Sequence, residues 1–158
     1  MKVLMVCAGN ICRSPAAEAA VRAKAEEAGI ALTVDSAGTG SWHIGDPPHH
    51  QMVAAGRRHG LEVAGKARRF GESDFDRHDV ILVMDRSNLR DVLELAPSLE
   101  AKAKVRLFRT YDPASEEDEV PDPYGGPDSG YDHTVEIVSR AAQGFVDSLA
   151  SIAGFSRD

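Results

Sequence analysis

Near its N-terminus the chain passes from an unbroken apolar run into a polar loop and then to a proline. Residues 3–15 read Val-Leu-Met-Val-Cys-Ala-Gly-Asn-Ile-Cys-Arg-Ser-Pro. An apolar run that does not alternate with polar residues is typical of a strand covered on both faces, as in a parallel sheet. Pro15 suits a first helical position, and the Ala-rich residues 16–28 end at Gly29, a residue type common just past a helix. The stretch therefore predicts a strand, a tight loop and a helix.

The same pattern recurs along the rest of the chain. The predicted strands are residues 3–6, 30–34, 80–84 and 104–108, and the predicted helices are residues 16–28, 48–59, 88–96 and 132–153. Strands that alternate with helices imply right-handed crossovers and a doubly wound sheet. We therefore expect a single α/β domain over residues 1–158, with a four-stranded parallel sheet flanked by helices on both faces. Ligands bind such sheets beyond the carboxyl ends of the strands, where the loop after the first strand lies.

Length and composition limit the class of protein. A chain of 158 residues suits one domain, since domains usually hold about 100–200 residues. The net charge of −7 argues against non-specific nucleic-acid binding and against docking on an anionic membrane. Two cysteines exclude a disulfide scaffold and a four-cysteine zinc site. No window approaches the ~20 apolar residues of a membrane span, so we expect a soluble, cytoplasmic protein.

The last predicted helix carries one apolar stripe. Its members recur at spacings of three and four and are Val135, Val138, Ala142, Phe145, Leu149 and Ile152. A dimer seam is one interpretation of this stripe. A stripe shorter than three heptads more often belongs to a terminal helix that packs on the sheet of its own domain than to a dimer interface. We therefore expect a monomer.

The loop after the first strand, residues 7–14, is called the Cys7 loop below, and it combines a thiol, a flexible backbone and a cation. Gly9 and Asn10 are residue types that tolerate a positive φ, so the loop can curl and turn its N–H groups inward. N–H groups at a helix N-terminus bind anions, and the guanidinium of Arg13 matches two phosphate oxygens. The same groups stabilise a thiolate, to which Ser14 can donate a hydrogen bond. Cys7 is thus predicted to be a nucleophile aimed at a bound phosphate.

Plainer interpretations compete with this one. Most cysteines are small buried apolar residues, but the spacing Cys-x5-Arg-Ser between a strand and a helix favours a nucleophile at Cys7. The loop also lacks the Gly-x4-Gly-Lys-Ser/Thr of nucleotide-binding loops. His43, His49 and His50 near Asp46 suggest a metal site, but no His-x3-His pair or zinc motif accompanies them. We therefore expect a solvated histidine loop without a metal.

The Cys7 loop and Pro15 together resemble the signature of the low-molecular-weight protein tyrosine phosphatases. Asp122-Pro123-Tyr124 is similar to the second signature of that family, and residues 35–39 and 84–88 resemble further family segments. The resemblance covers the whole chain and is closest to the bacterial type, because Gly125 replaces the second tyrosine of some eukaryotic members. It implies hydrolysis of phosphotyrosine in proteins through a phosphocysteine, without a cofactor. It also implies that Cys7 is the nucleophile, Arg13 binds phosphate, and Asp122 is the general acid and base.

The resemblance further implies which residues bind the substrate. The phosphate would lie on the Cys7 loop, whose remaining members are Ala8, Gly9, Asn10, Ile11, Cys12 and Ser14. Trp42 and Tyr124 match the aromatic walls of the family, and Ser36 supports the loop asparagine. Many members hold that network with a histidine, where this chain has Gly65. In the family the second loop cysteine can form a reversible disulfide with the nucleophile; the alternative is that Cys12 only packs.

Three other functions share parts of this pattern. Protein-arginine phosphatases look similar but carry threonine at the position of Ile11, which favours phosphotyrosine here. Arsenate reductases share the fold and the Cys-x5-Arg loop but need cysteines further along the chain, and none follows Cys12. A non-catalytic phosphate binder would keep the loop without the acid, and Asp122 argues against it. A basic cluster is predicted to be a solvated face or a rim that attracts acidic phosphopeptides; it comprises Arg57, Arg58, Lys66, Arg68 and Arg69.

Overall fold

The computed structural model describes residues 1–152, and the strands in this range form one parallel sheet. They are β1 (Lys2–Cys7), β2 (Thr33–Gly38), β3 (Val80–Val83) and β4 (Val105–Leu107). Their order across the sheet is β2-β1-β3-β4, and every neighbouring pair is parallel. The predicted doubly wound, four-stranded fold is confirmed.

Helices cover both faces of the sheet. They are α1 (Arg13–Ala28), α2 (His50–Arg58), α3 (Asp74–Arg77), α4 (Arg86–Glu94), α5 (Leu99–Ala103) and α6 (Asp128–Ile152), with a 3-10 turn at Phe108–Tyr111. Side chains alternate along a strand, so Val3 and Met5 join the core under α1 and α6 while Leu4 and Val6 join the core under α3, α4 and α5.

The apolar stripe of α6 packs into the first of these cores. Val135, Val138, Ala142 and Phe145 are buried there together with side chains of α1, as expected for a helix that packs on the rest of its own domain. Ala153 and the side chain of Ile152, which the sequence pattern also assigned to this helix, lie outside the described residues. None of the helices in residues 1–152 has the length and apolarity needed to span a membrane.

The second strand is the main correction to the sequence prediction, because it lies later than residues 30–34. Gly29 adopts a left-handed conformation with φ 70°, and the N–H of Ile30 donates to the carbonyl of Ala25 at 2.9 Å. Ile30 therefore completes the end of α1. β2 (Thr33–Gly38) pairs with β1 from Lys2↔Thr33 to Cys7↔Gly38, so it reaches the same edge of the sheet as Cys7.

Helix boundaries also differ from the pattern. α6 begins at Asp128, directly after Pro127, and not at residue 132. α4 begins at Arg86, because Asp85 and Asn88 form a capping box at its start. The short helices α3 and α5 were not predicted, since four or five residues cannot display a helical period.

The strand order places a crevice above the carboxyl end of β1. β2 and β3 lie on opposite sides of β1, so the chain leaves the centre of the sheet in two directions at this point. Doubly wound proteins bind their ligands at such a switch point. Cys7 is the last residue of β1 and therefore lies at the base of this crevice.

Candidate active site

The thiol of Cys7 is buried beneath its own loop. Cys7 is only 2% exposed, and its Sγ lies 3.0 Å from the Ser14 hydroxyl oxygen. The backbone N–H of Asn10 also donates to this sulfur at 3.3 Å. A thiolate at this position would thus meet a hydrogen-bond donor in the middle of the loop, at Asn10, and another at its end, at Ser14.

The backbone of the Cys7 loop has the curl that the sequence predicted. Asn10 has a φ of 58°, and it is the only non-glycine residue with a positive φ in residues 1–152. The N–H groups of Thr39, Gly40 and His49 donate to loop carbonyls, those of Cys7, Ala8 and Ile11. In a trans peptide group the N–H points away from the C=O. The N–H groups of Ala8, Gly9 and Cys12 therefore point to the opposite side, away from these outer segments.

The side chain of Asn10 connects the loop to the rest of the fold. Its amide nitrogen donates to the hydroxyl oxygens of Ser14 at 2.8 Å and Ser36 at 3.0 Å. Its carbonyl oxygen accepts from the backbone N–H of Arg68 at 3.0 Å. Gly65 has no side chain to add to this network, and the bond to the carbonyl oxygen of Asn10 comes from the backbone of Arg68.

The Arg68 segment is itself held by a buried carboxylate. Both terminal nitrogens of Arg68 donate to Asp74, at 3.1 and 2.9 Å, and the N–H of Gly71 donates to the same side chain at 2.9 Å. Burial opposes ionisation of this carboxyl, but the hydrogen bonds from Arg68 and Gly71 outweigh it and hold the pKa of Asp74 below its ordinary value. Arg68 also reaches Asp35 at 3.1 Å, a carboxylate that is far more exposed than Asp74.

Replacing Asp74 by asparagine is expected to lower the free energy of unfolding by about 2 kcal/mol at pH 7, since hydrogen bonds to charged groups contribute about 1.5–3 kcal/mol. The folded pKa of Asp74 is lowered, so the stabilisation is complete above the unfolded value near pH 4 and is lost as the pH falls through the folded value. Urea unfolding of both proteins between pH 3 and pH 7 measures this difference.

Asp35→Asn is the matched control, because it removes the exposed partner of the same arginine. It is expected to cost less than about 0.5 kcal/mol. An Asp74→Asn difference that stays constant down to pH 3 would show that the carboxylate charge is not what stabilises this segment.

Arg13 is fixed on one side and open on the other. Its Nη1 donates to Asp85 at 2.7 Å and to the carbonyl of Val120 at 3.0 Å. Its Nη2 lies 3.8 Å from Asp122 Oδ2, and within the described residues neither Nη2 nor Nε has a hydrogen-bond partner. Burial opposes the charge, but Cys7, Asp85 and Asp122 raise the pKa of Arg13 above its ordinary value. The guanidinium therefore stays charged, with two nitrogens free to bind an anion.

Asp122 lies on a segment that is anchored at one end. The N–H of Val120 donates to the carbonyl of Met84, just past β3, at 2.8 Å, and Val120 is 1% exposed. Two residues later the carboxylate of Asp122 is half exposed, and it accepts a hydrogen bond from the N–H of Tyr124 at 3.1 Å. The carboxylate of Asp122 thus lies beside Arg13 without being buried.

A cavity of about 240 Å³, called the Arg13 cavity below, brings most of the predicted residues together. Its lining residues are Ala8, Gly9, Ile11, Cys12, Arg13, Trp42, His43, Asp122 and Tyr124. Trp42 and Tyr124 are 72% and 59% exposed, so they form open walls and are not core aromatics. Cys7, Asn10, Ser14 and Ser36 are buried and lie behind this lining.

Sequence reasoning missed three residues of this site. His43 lines the cavity and was considered only as a metal ligand, although its position beside Trp42 was a usable signal. Asp85 and Val120 fix Arg13. Asp85 lies in a segment that resembles the family, but no local pattern marks Val120, whose part is played by a backbone carbonyl.

Cys12 differs from Cys7 in its surroundings. It is buried, and burial together with the nearby Cys7 and Asp122 raises the pKa of Cys12 to about 12, so its thiol is protonated at neutral pH. Both cysteines are free thiols in the structure. Disulfide formation between them stays a prediction.

Of the three histidines in the predicted histidine loop, His49 supports the fold. The N–H of His49 donates to the carbonyl of Ile11, its ring accepts from the N–H of Gln51 at the start of α2, and it stacks on Tyr131 with ring centres 5.3 Å apart. Within residues 1–152 no group of three or more histidine, cysteine or carboxylate side chains is placed to hold a metal ion. Four members of the predicted basic cluster are exposed, as a solvated face requires: Arg57, Arg58, Lys66 and Arg69. Arg68 is the exception, since it is only partly exposed and pairs with the buried Asp74.

The fold and site define a class: a doubly wound α/β protein with a cysteine and an arginine in one strand-loop-helix unit, and an aspartate beside the arginine. The family model for low molecular weight phosphotyrosine protein phosphatase matches residues 2–153. The chain belongs to this family, as the resemblance in its sequence implied.

Individual relatives agree with this assignment. The chain is 45% identical over 154 residues to the low molecular weight protein-tyrosine-phosphatase of Streptomyces coelicolor, and the alignment covers 94% of this chain and 93% of the relative. It is 38% identical over 148 residues to the human low molecular weight phosphotyrosine protein phosphatase, covering 92% and 93%. A solved structure of a protein tyrosine phosphatase from Entamoeba histolytica has a TM-score of 0.92 at 34% identity and covers 96% of this chain and 97% of its own.

Proposed function

We propose that this protein hydrolyses phosphotyrosine in proteins, through a covalent phosphocysteine on Cys7. The observation that carries the proposal is the grouping of Cys7, Arg13 and Asp122 at one crevice. Cys7 Sγ accepts one hydrogen bond from the backbone N–H of Asn10 and lies against the Ser14 hydroxyl. Arg13 Nη2 makes no hydrogen bond within the described residues and lies 3.8 Å from Asp122. A nucleophile, an anion binder and a proton donor are the three groups that transfer of a phosphoryl group to a thiolate needs.

In the first step the Cys7 thiolate attacks phosphorus in line with the leaving phenolate. A sulfur–phosphorus bond forms, the bond from phosphorus to the phenolic oxygen breaks, and Asp122 gives its proton to that oxygen. The N–H groups of Ala8, Gly9 and Cys12 and the free side of Arg13 hold the charge on the remaining phosphate oxygens. Such preorganised donors stabilise the transition state because they need not reorient during the reaction.

In the second step water releases the phosphate. Asp122 is now a carboxylate and takes a proton from the water, whose oxygen bonds to phosphorus as the sulfur–phosphorus bond breaks. Cys7 returns to the thiolate, and Asp122 is protonated again for the next cycle. The half-exposed position of Asp122 supports this double role, because the carboxyl must reach both a departing phenol and an incoming water.

An aryl phosphate fits the shape of the Arg13 cavity. Trp42 and Tyr124 stand on its rim and offer aromatic faces to a phenyl ring. Ile11 lines the same cavity with an apolar surface, which suits a ring better than the polar guanidinium of phosphoarginine. These walls support tyrosine-phosphorylated proteins as the substrate class.

A comparison of three matched phosphopeptides tests this function. Peptides that differ only in carrying phosphotyrosine, phosphoserine or phosphoarginine are offered to the enzyme, and phosphate release gives kcat/KM for each. We expect phosphotyrosine to be preferred over the other two by roughly 100-fold, since a shaped site can discriminate by this much or more. Faster hydrolysis of phosphoarginine would assign the protein to the arginine-directed relatives instead.

A further inference from the structure

A second cavity adjoins the Arg13 cavity on the far side of Trp42. It measures about 430 Å³ and is lined by Thr39, Gly40, Ser41, Trp42, Arg69, Phe70, Asp91, Glu94 and Leu95. We call it the Leu95 groove. Trp42 lines both cavities, so a ligand whose ring lies against one face of the indole can extend past it into the groove.

The position of Trp42 between the two cavities depends on the backbone of its own loop. A Cβ added to Gly40 would lie 2.0 Å from the Trp42 ring, so the indole packs directly over the glycine. Only a residue without a side chain allows this arrangement. The indole is 72% exposed and is held from below, which makes it a shared wall for two adjacent binding spaces.

The floor and one side of the groove are apolar. Phe70 is buried at its base, in edge contact with Phe75, while Leu95 is 47% exposed at the end of α4. Leu95 and Trp42 are two of the few large apolar side chains that the described part of the chain leaves exposed. Adjacent exposed apolar side chains next to an active site are typical of a surface that binds part of a partner or substrate.

The charges in the groove are unpaired and have a negative excess. Asp91 and Glu94 stand one turn apart on α4, and Arg69 is the single cation in the lining. Within residues 1–152 none of these three side chains forms a hydrogen bond or an ion pair. The elements that face the groove therefore present two free carboxylates against one free guanidinium, which favours a cationic side chain in a ligand.

We propose that the Leu95 groove binds the part of a phosphoprotein that flanks the phosphotyrosine. An apolar side chain of the substrate would lie against Trp42 and Leu95, and a lysine or arginine side chain would lie beside Asp91 and Glu94. Each residue of an extended peptide advances the chain by about 3.3 Å, so a groove that begins behind one indole ring is within reach of residues a few positions from the phosphotyrosine. This inference rests on the proposed function and adds a sequence preference to it.

A peptide series measures this preference. In a neutral phosphotyrosine peptide, one lysine or one glutamate is moved through the three positions on each side of the phosphotyrosine, and kcat/KM is determined for each peptide. At one or two positions we expect lysine to exceed glutamate by roughly three- to tenfold, because an exposed ion pair contributes up to about 1 kcal/mol and the glutamate peptide adds repulsion. In D91N/E94Q this ratio should fall to about one.

The matched control is E26Q/E100Q, which removes two exposed carboxylates that line neither the Leu95 groove nor the Arg13 cavity and should keep the wild-type ratio. A third variant, L95A, tests the apolar part of the groove. A leucine placed beside the preferred lysine position should raise kcat/KM over that of the peptide without it, and in L95A this ratio should fall by roughly threefold. Nitrophenyl phosphate, which has no flanking residues, should be hydrolysed equally by all these variants.

The outcomes separate the two proposals. If nitrophenyl phosphate and the phosphotyrosine peptides are all left intact, the proposed function itself is wrong. If they are hydrolysed but lysine and glutamate peptides react equally, or glutamate is preferred, the Leu95 groove does not read the flanking sequence as proposed. A lysine preference that persists unchanged in D91N/E94Q also overturns the groove assignment.

Discussion

Cys7→Ser is expected to reduce the turnover of aryl phosphates by roughly 10⁴-fold or more, the size of effect seen when a covalent nucleophile is removed. A serine hydroxyl does not ionise near neutral pH, and it cannot form the phosphocysteine. The groups that hold the anion remain in place: Arg13 keeps its hydrogen bonds to Asp85 and Val120, and the backbone of the loop is unchanged. Binding of inorganic phosphate, measured by calorimetry, should therefore persist.

Cys12→Ser is the natural comparison, since it makes the same atomic change in the same loop. The Cys12 thiol is kept protonated by its pKa of about 12, so its loss should cost far less activity than the loss of Cys7. Alkylation by iodoacetate gives a second measurement: wild-type protein should be modified at Cys7 and protected by phosphate. Substantial turnover by Cys7→Ser, or preferential alkylation of Cys12, would refute the assignment of the nucleophile.

The fold and the Cys7 loop could be predicted because their signals are local. The run Val3–Val6 followed by Cys7, Gly9 and Asn10 displays in consecutive residues both the buried strand and the positions that tolerate a positive φ. The structure places Asn10 at a φ of 58°, as those residue types indicate. Information that lies within ten residues of sequence needs no knowledge of the rest of the chain.

The second strand shows where local pattern fails. Residues 35–38 read Asp-Ser-Ala-Gly, a sequence that suits a turn, yet they belong to β2 because they pair with β1 up to Cys7↔Gly38. Gly38 has no room for a side chain, since an added Cβ would lie 2.7 Å from the carbonyl oxygen of Ala8. The close approach of two backbones at the site, and not strand propensity, explains the glycine at position 38.

The supports of the site could not be predicted because they join distant parts of the chain through the backbone. The Arg68 amide that holds Asn10 lies 58 residues away, and the Val120 carbonyl that holds Arg13 lies 107 residues away. Any residue type except proline offers such an amide, so the sequence at position 68 carries no sign of its use. The family resemblance drew attention to Gly65, and it gave no sign that the backbone of Arg68 holds Asn10.

Asp122→Asn is expected to slow the hydrolysis of phenyl phosphate or phosphotyrosine by about 10²–10⁴-fold, the range that positioned proton transfer contributes. The phenolic oxygen of tyrosine is the conjugate base of an acid with a pKa near 10, so it leaves poorly unless it is protonated. Nitrophenol is a stronger acid and leaves without much help, so nitrophenyl phosphate should lose far less activity in its first step. Asparagine keeps the shape of the side chain and can remain near Arg13.

The decisive measurement is the dependence of the phosphorylation step on the acidity of the leaving phenol, taken from the burst phase or from kcat/KM for a series of substituted phenyl phosphates. Wild-type protein should show a weak dependence, because Asp122 neutralises the oxygen as it departs, and Asp122→Asn should show a steep one.

Asp128→Asn is a suitable control, because Asp128 is an exposed carboxylate at the start of α6 that contacts Gln51 and does not line the Arg13 cavity. If Asp122→Asn slowed every ester by the same factor, the carboxyl would be acting on the loop or on Arg13 and not as the proton donor. The proton donor would then have to be another group of the Arg13 cavity, and His43 would be the first candidate.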